Sequence, residues 1–208
     1  MPGRFISLEG GEGAGKSTQA RALAAALGHR GIEAVVTREP GGSEGAEAIR
    51  ALVLQGRVDR WGPRAETLMF AAARADHVAT LIRPALAAGC WVICDRFLDS
   101  TRAYQGAAEG VDDAAILALH DFGSQGLLPD RTFVLDVPVE QGTARAIGRD
   151  GAGTDRFAAR GAGFHQAVAR GFRTIADREP ERVRLIDASG DAAAVTTRLL
   201  AELSDWLA

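Results

Sequence analysis

The run Gly10-Gly11-Glu12-Gly13-Ala14-Gly15-Lys16-Ser17 has the spacing G-x-x-x-x-G-K-[ST], and these residue types suit the binding of a chain of phosphates. Glycines let the backbone turn successive N–H groups inward around an anion, and a helix opening at Lys16 adds partial positive charge from its N-terminus. Lys16 is the sole lysine among 24 basic residues, so it calls for a specific reason. An ammonium that reaches terminal phosphates supplies one; at a loop it is expected to be exposed. Ser17 offers a hydroxyl to Mg²⁺, and Thr18 follows it into the helix. Glu12 is the odd member of the set. A carboxylate repels the phosphates that the glycines attract, so its side chain should point away from them.

A second constellation is Asp95-Arg96, directly after the apolar run Cys90-Trp91-Val92-Ile93-Cys94. Side chains that leave such a strand emerge at the carboxyl edge of a sheet, where open α/β folds bind ligands. Asp95 suits a magnesium-bound water and Arg96 suits a phosphate clamp. A transfer of a phosphoryl group onto another phosphate needs such an arginine, because two anions must be held together. Phe70 and Arg74 lie four apart, so one helix presents both on one face. A ring beside a guanidinium can stack a flat base and donate to its carbonyl, although Phe70 also suits plain core packing.

These groups need elements to hold them. Residues 4–9 read as a strand, 10–15 as a turn and 16–27 as a helix, giving a strand, glycine loop and helix in succession. Further strands are predicted at 34–37, 91–94, 132–135 and 183–186. Helices are predicted at 43–54, 63–88 closing at Gly89, 100–108, 112–122, 139–147, onward to about 177, and 192–207. The stretch 148–153 is glycine-rich and charged, which predicts a mobile loop. Strands alternating with helices imply an α/β fold, a five-stranded parallel sheet with helices on both faces.

Along this frame the chain resembles bacterial thymidylate kinases, P-loop enzymes of the nucleoside monophosphate kinase type. The resemblance rests on six blocks in order: Thr37-Arg38-Glu39-Pro40-Gly41-Gly42; Phe70 to His77 with Arg74; Asp95-Arg96-Phe97 to Gly106; Leu135-Asp136-Val137-Pro138; Asp155-Arg156-Phe157; and Ile186-Asp187-Ala188-Ser189. It implies transfer of a phosphoryl group from ATP to dTMP with Mg²⁺, on a single domain with a lid at about 148–160. Gly10 to Thr18 and Arg145 would hold ATP, and Ser17 with Asp95 the metal. The resemblance implies that Phe70 stacks thymine, that Arg74 and Thr101 read its edge, and that Tyr104 packs against the sugar where a ribose 2′-hydroxyl would sit. Arg38, Arg96 and Gln105 would hold the acceptor phosphate region, Ser100 joins this acceptor set, and Glu12 would meet the 3′-hydroxyl. A homodimer is likewise implied.

An extra guanidinium near the transferring group is commonly worth powers of ten in rate. Some members of the family carry an arginine in the phosphate loop beside the acidic residue, where this chain has Gly13. The cation is therefore expected from the segment after helix 139–147, where Arg145, Arg149, Arg156 and Arg160 lie; Arg149 and Arg156 are the catalytic candidates. This segment departs from the family pattern, being longer and carrying Ala158 and Ala159 where acidic residues usually follow Asp-Arg-Phe.

Composition narrows the remaining alternatives. A chain of 208 residues, 47% hydrophobic and 25% charged, suits one soluble domain rather than a disordered one. A net charge of −3 gives no global attraction to nucleic acid, and no apolar run is long enough for a membrane span, so a cytoplasmic protein with small-molecule partners is expected. The four histidines and the pair Cys90 and Cys94 lack metal-ligand spacing. Two alternatives stand beside a dTMP kinase: another deoxynucleotide or deoxynucleoside kinase, and a non-catalytic nucleotide-dependent switch.

Overall fold

Five strands, β1 (Phe5–Glu9), β2 (Ala34–Arg38), β3 (Trp91–Asp95), β4 (Arg131–Asp136) and β5 (Val183–Asp187), form one parallel sheet in the order β2-β3-β1-β4-β5 in the computed structural model. The structure describes residues 2–150 and 156–207, the side chains of Ile147, Arg149 and Asp150 excepted. The strands alternate with α1 (Lys16–Gly28), α2 (Glu44–Leu54), α3 (Pro63–His77), α4 (Arg83–Ala87), α5 (Leu98–Thr101), α6 (Asp113–Ser124), α7 (Val139–Asp150), α8 (Ala162–Arg178), α9 (Ala192–Ala201) and α10 (Ser204–Leu207).

Both faces of the sheet are covered, because the central strands are apolar on both. Ile6, Leu8, Trp91, Ile93, Phe133 and Leu135 pack against Leu23 and Leu27 of α1 and Val195 and Leu199 of α9. On the opposite face Phe5, Val92 and Cys94 meet Val78, Ile82, Phe97 and Ile116. The alternation along β3, with Trp91 and Ile93 on one side and Val92 and Cys94 on the other, is the pattern of a strand buried between two layers. Cys94 is accordingly buried, and Cys90 is half-buried; both are free thiols. The position of β1 does the most for function. It pairs with both β3 and β4, with Leu8 opposite Asp95, so the loop leaving β1 and the turn leaving β3 open side by side at the carboxyl edge.

Four elements depart from expectation. The helix predicted over 63–88 is α3 and α4 joined by a π-helical turn at Val78–Ile82. Pro84 lacks an N–H and its ring crowds the preceding turn, which accounts for the widened ladder just before it. A second π-helical turn, Arg102–Ala107, continues α5 and carries Tyr104 and Gln105. Part of the predicted loop is helical, since α7 runs to Asp150 and takes in Gly148 and Arg149; the rest of that stretch and Asp155 lie outside the described residues. The last predicted helix is broken into α9 and α10.

Candidate active site

The loop from Gly10 to Gly15 turns where β1 ends. At Gly10, with φ of 134°, a Cβ would stand 2.6 Å from the Leu135 carbonyl. Gly13, with φ of 65°, lies so close to the Gly142 carbonyl of α7 that a side chain has no room. That contact leaves no room for a loop arginine at this position. Lys16 is buried, not exposed: it opens α1, and its Nζ donates to the carbonyls of Gly10 (3.1 Å) and Gly11 (2.8 Å). Burial, and then the neighbouring Arg96, push its pKa down to about 8 against the pull of Glu12, Asp95 and Glu9. The reason is geometric: the side chain folds back beneath the loop toward the sheet.

Arg96 occupies the left-handed region with φ of 71°, and its guanidinium joins the two constellations. It donates to Glu12 Oε1 (2.7 Å), the Gly10 carbonyl (3.2 Å), Ser100 Oγ (3.2 Å) and Tyr104 Oη (3.0 Å). Tyr104 in turn donates to Glu12 Oε1 at 3.2 Å. Burial opposes ionisation of Glu12, yet Arg96, Lys16, the Tyr104 hydroxyl and His165 together hold its pKa down near about 2. Burial, reinforced by Glu12, raises the Tyr104 hydroxyl. Ser17 Oγ donates to the Asp95 carboxylate, bringing together the two residues expected at a metal. Their oxygens are hard donors of the kind Mg²⁺ takes alongside phosphates and waters.

One cleft of about 310 Å³ runs from this loop between β3 and α3. Its lining includes Glu12, Gly13, Gly15, Lys16 and Ser17 of the loop and the start of α1, Asp95 and Arg96 at the end of β3, Phe70 and Arg74 of α3, and Ser100, Thr101, Tyr104 and Gln105 of α5 and the π-helical turn after it. Arg74 is fixed there by three protein acceptors, Glu39 Oε2 at 2.7 Å, Thr101 Oγ1 at 2.9 Å and the Phe97 carbonyl at 3.2 Å. Phe70 is half-buried at the wall, so its ring is not spent on the core alone. Arg38 stands at the rim and donates to Glu47.

Other expected residues lie elsewhere. Gly10 and Gly11 line a smaller neighbouring hollow, Ala14 is buried and Thr18 is exposed on α1. Arg145, exposed on α7, donates to the Ala188 carbonyl at 3.3 Å beyond β5. The side chain of Arg149 lies outside the described residues. Arg156 is not aimed at the phosphate loop. It is buried against Glu66 at 2.7 Å and donates to the carbonyls of Val53, Arg57 and Val58. A guanidinium with this many partners is not a spare cation in this conformation, which corrects the expectation that it meets the transferring group.

Three carboxylates of the site were not singled out from sequence. Glu9 accepts from the Phe97 N–H (2.7 Å) and Ser100 Oγ (2.5 Å), bracing the turn that holds Arg96. Burial and then Asp99 raise its pKa to about 8. Glu39 orients Arg74 and meets His77 Nδ1 at 3.1 Å. Glu66 pairs with Arg156, Arg160 and Gln105. The signal for Glu66 was present: Glu66, Phe70 and Arg74 recur every four residues, one stripe of a helix.

Comparisons with known proteins point to one family. The family model "Thymidylate kinase" matches residues 8–199. A thymidylate kinase of Rhizorhabdus wittichii is 61% identical over 207 residues, covering 100% of both chains. One from Bradyrhizobium diazoefficiens is 52% identical over 206 residues, covering 99% of this chain and 90% of that relative. A crystal structure of thymidylate kinase from Ehrlichia chaffeensis superposes with a TM-score of 0.79 at 32% identity, covering 98% of this chain and 100% of that one.

Proposed function

The chain belongs to the thymidylate kinase family, and from that premise we propose how its residues divide the transfer of a phosphoryl group from ATP to dTMP. The activity is that of an ATP-dependent nucleoside monophosphate kinase, forming dTDP. The observation that carries the assignment of residues is the single cleft in which the phosphate loop and the Phe70, Arg74 and Tyr104 wall share Arg96. Release of ADP, measured across a panel of nucleosides and monophosphates with ATP, tests it. Turnover should be greatest with dTMP; a preference for an unphosphorylated nucleoside would overturn the acceptor assignment.

In this reading residues 10–18 hold the donor phosphates, and Lys16 gives up its loop carbonyls to meet them. Ser17 and Asp95 hold Mg²⁺, which when bound neutralises charge on the donor. Arg96 holds the acceptor phosphate, with Gln105, Ser100 and Arg38 around it, so that its oxygen attacks the γ-phosphorus as the bond to ADP breaks. Phe70 stacks the base, Arg74 and Thr101 read its edge, and Glu12 accepts from the 3′-hydroxyl. Arg145 contacts ATP, and Arg149 remains the candidate for the additional cation. The whole chain acts as one kinase domain, with 148–160 as its lid, and works in the cytoplasm. Among the described residues no helix is long and apolar enough to cross a membrane.

Tyr104 tests the sugar wall. If its ring fills the space beside C2′, a ribose hydroxyl clashes or loses water without gaining a partner, at a cost of about 1–3 kcal/mol. Selectivity for dTMP over ribothymidine monophosphate should then be roughly 5- to 150-fold in kcat/KM. Tyr104→Phe should keep most of it, while losing the bonds to Glu12 and Arg96; Tyr104→Ala should abolish it. Undiminished selectivity in the Ala variant would put the wall elsewhere.

A homodimer is supported by an apolar face. Helices α3 and α6 pack closely, with Gly123 against Ala75 and Ala71, and their outer surfaces expose Leu68, Ala72, Ala115, Ala118 and Phe122, the last 90% exposed. Phe122→Asp should convert a two-chain species to one chain in sedimentation equilibrium. A parent protein that sediments as one chain would overturn the proposal.

A further inference from the structure

Segment 156–160 is fastened by backbone and carboxylate partners: Arg156 donates to the carbonyls of Val53, Arg57 and Val58, and its guanidinium and that of Arg160 converge on one carboxylate. Arg156 Nη1 lies 2.7 Å and Arg160 Nη2 3.0 Å from Glu66 Oε1, and the Glu66 and Arg156 side chains are wholly buried. The other oxygen of Glu66 accepts from Gln105 Nε2 at 3.1 Å. Arg160 also pairs with Glu109, just beyond the π-helical turn that carries Gln105. Two carboxylates thus face two guanidiniums, so the formal charges of this cluster balance. Held between these anchors, Phe157 lines the acceptor cleft with its ring centroid 5.8 Å from Phe70 and 6.3 Å from Tyr104. The guanidinium of Arg156 stands 5.1 Å and that of Arg160 5.0 Å from the same ring.

We propose that Glu66 is a positioning residue for the acceptor: by gripping Arg156 and Arg160 on one side and Gln105 on the other, it sets Phe157 as the wall that completes the base pocket. The proposal rests on the reading of this cleft as the dTMP site. Its physical basis is that one helix stripe carries the grip (Glu66), the stacking ring (Phe70) and the edge reader (Arg74), so the facing wall is registered to the residues it must oppose. It also gives Arg156 and Arg160 a role that needs no contact with phosphate. Loss of a wall residue's placement by even about 1 Å can cost on the order of 10²-fold in turnover efficiency.

Glu66→Gln keeps the size of the side chain and removes its charge. In dTMP phosphorylation at saturating ATP, KM for dTMP should rise about 10- to 100-fold, with KM for ATP changed by less than about twofold. Hydrogen exchange of the amides of 156–160 should rise in the ligand-free variant. Arg160→Met should show the same split, and the double variant should lose less than the product of the two single losses, because both act through one contact. A lowered Tm with both KM values and the 156–160 exchange unchanged would mean a merely structural role and overturn the proposal. Equal rises in the two KM values would overturn it too. If Glu66→Gln fails to fold, Arg160→Met alone decides by the same readouts. Hydrogen exchange needs no turnover, so it judges the clasp separately from the activity of the parent, whose failure with dTMP would instead sink the reading of the cleft.

Discussion

Lys16→Met should lower kcat by about 10³-fold, the size expected when a preorganised cation is removed from a transferring phosphoryl group. The fold should survive the change. The variant takes a donor from the Gly11 carbonyl and one of two from the Gly10 carbonyl, which keeps Arg96, but it also removes a cation whose burial is unfavourable, as its lowered pKa shows. These effects oppose, so Tm should move by less than about 5 °C. A pH series separates the charge from the side chain's bulk. In the free protein Lys16 loses its proton as pH rises through about 8. Bound phosphates favour the ammonium, so binding takes up a proton above that pH, and ATP affinity should fall by about fivefold between pH 8 and 9. Titration calorimetry should find this fall in the parent and not in Lys16→Met. Near-parent turnover, or an affinity that is flat in both proteins, would remove Lys16 from the donor site.

Arg96→Ala should lower kcat/KM for dTMP by about 10³-fold while ATP affinity changes by less than about fivefold. Two losses combine in that figure. The acceptor phosphate loses its clamp, and Glu12 loses the partner that does most to keep it ionised, so a half-buried carboxylate is left beside an incoming anion. Arg96→Lys should recover little, remaining about 10²-fold down. Four acceptors, Glu12, the Gly10 carbonyl, Ser100 and Tyr104, surround a planar fork that an ammonium cannot reproduce. Initial rates with each substrate varied in turn check both variants. A parallel tenfold loss for ATP and dTMP would mean that Arg96 braces the loop and does not select the acceptor.

The extent to which the site is legible in sequence differs residue by residue. Lys16, Ser17 and the glycines act through backbone conformation and immediate neighbours, and local spacing encodes both. Asp95 and Arg96 are legible because a strand's end has a fixed direction, and Phe70 with Arg74 because a helix face repeats every three to four residues. The strands were found within a residue or so because apolar runs bounded by glycine and charge are themselves the physical cause of buried strands.

What sequence alone determined, then, is the order of α/β units, the phosphate loop and the identity of most groups facing the cleft. Only the tertiary structure decided their partners. Glu9, Glu39 and Glu66 act on residues 91, 35 and 90 positions away, at Ser100, Arg74 and Arg156, and no periodicity carries information across such separations. The same holds for Arg156, whose type and position suggested a phosphate contact but whose burial gave it Glu66 instead. An arginine's charge is written in the chain; which anion compensates it depends on which elements the sheet order brings together, because a buried charge must be paired wherever packing leaves it.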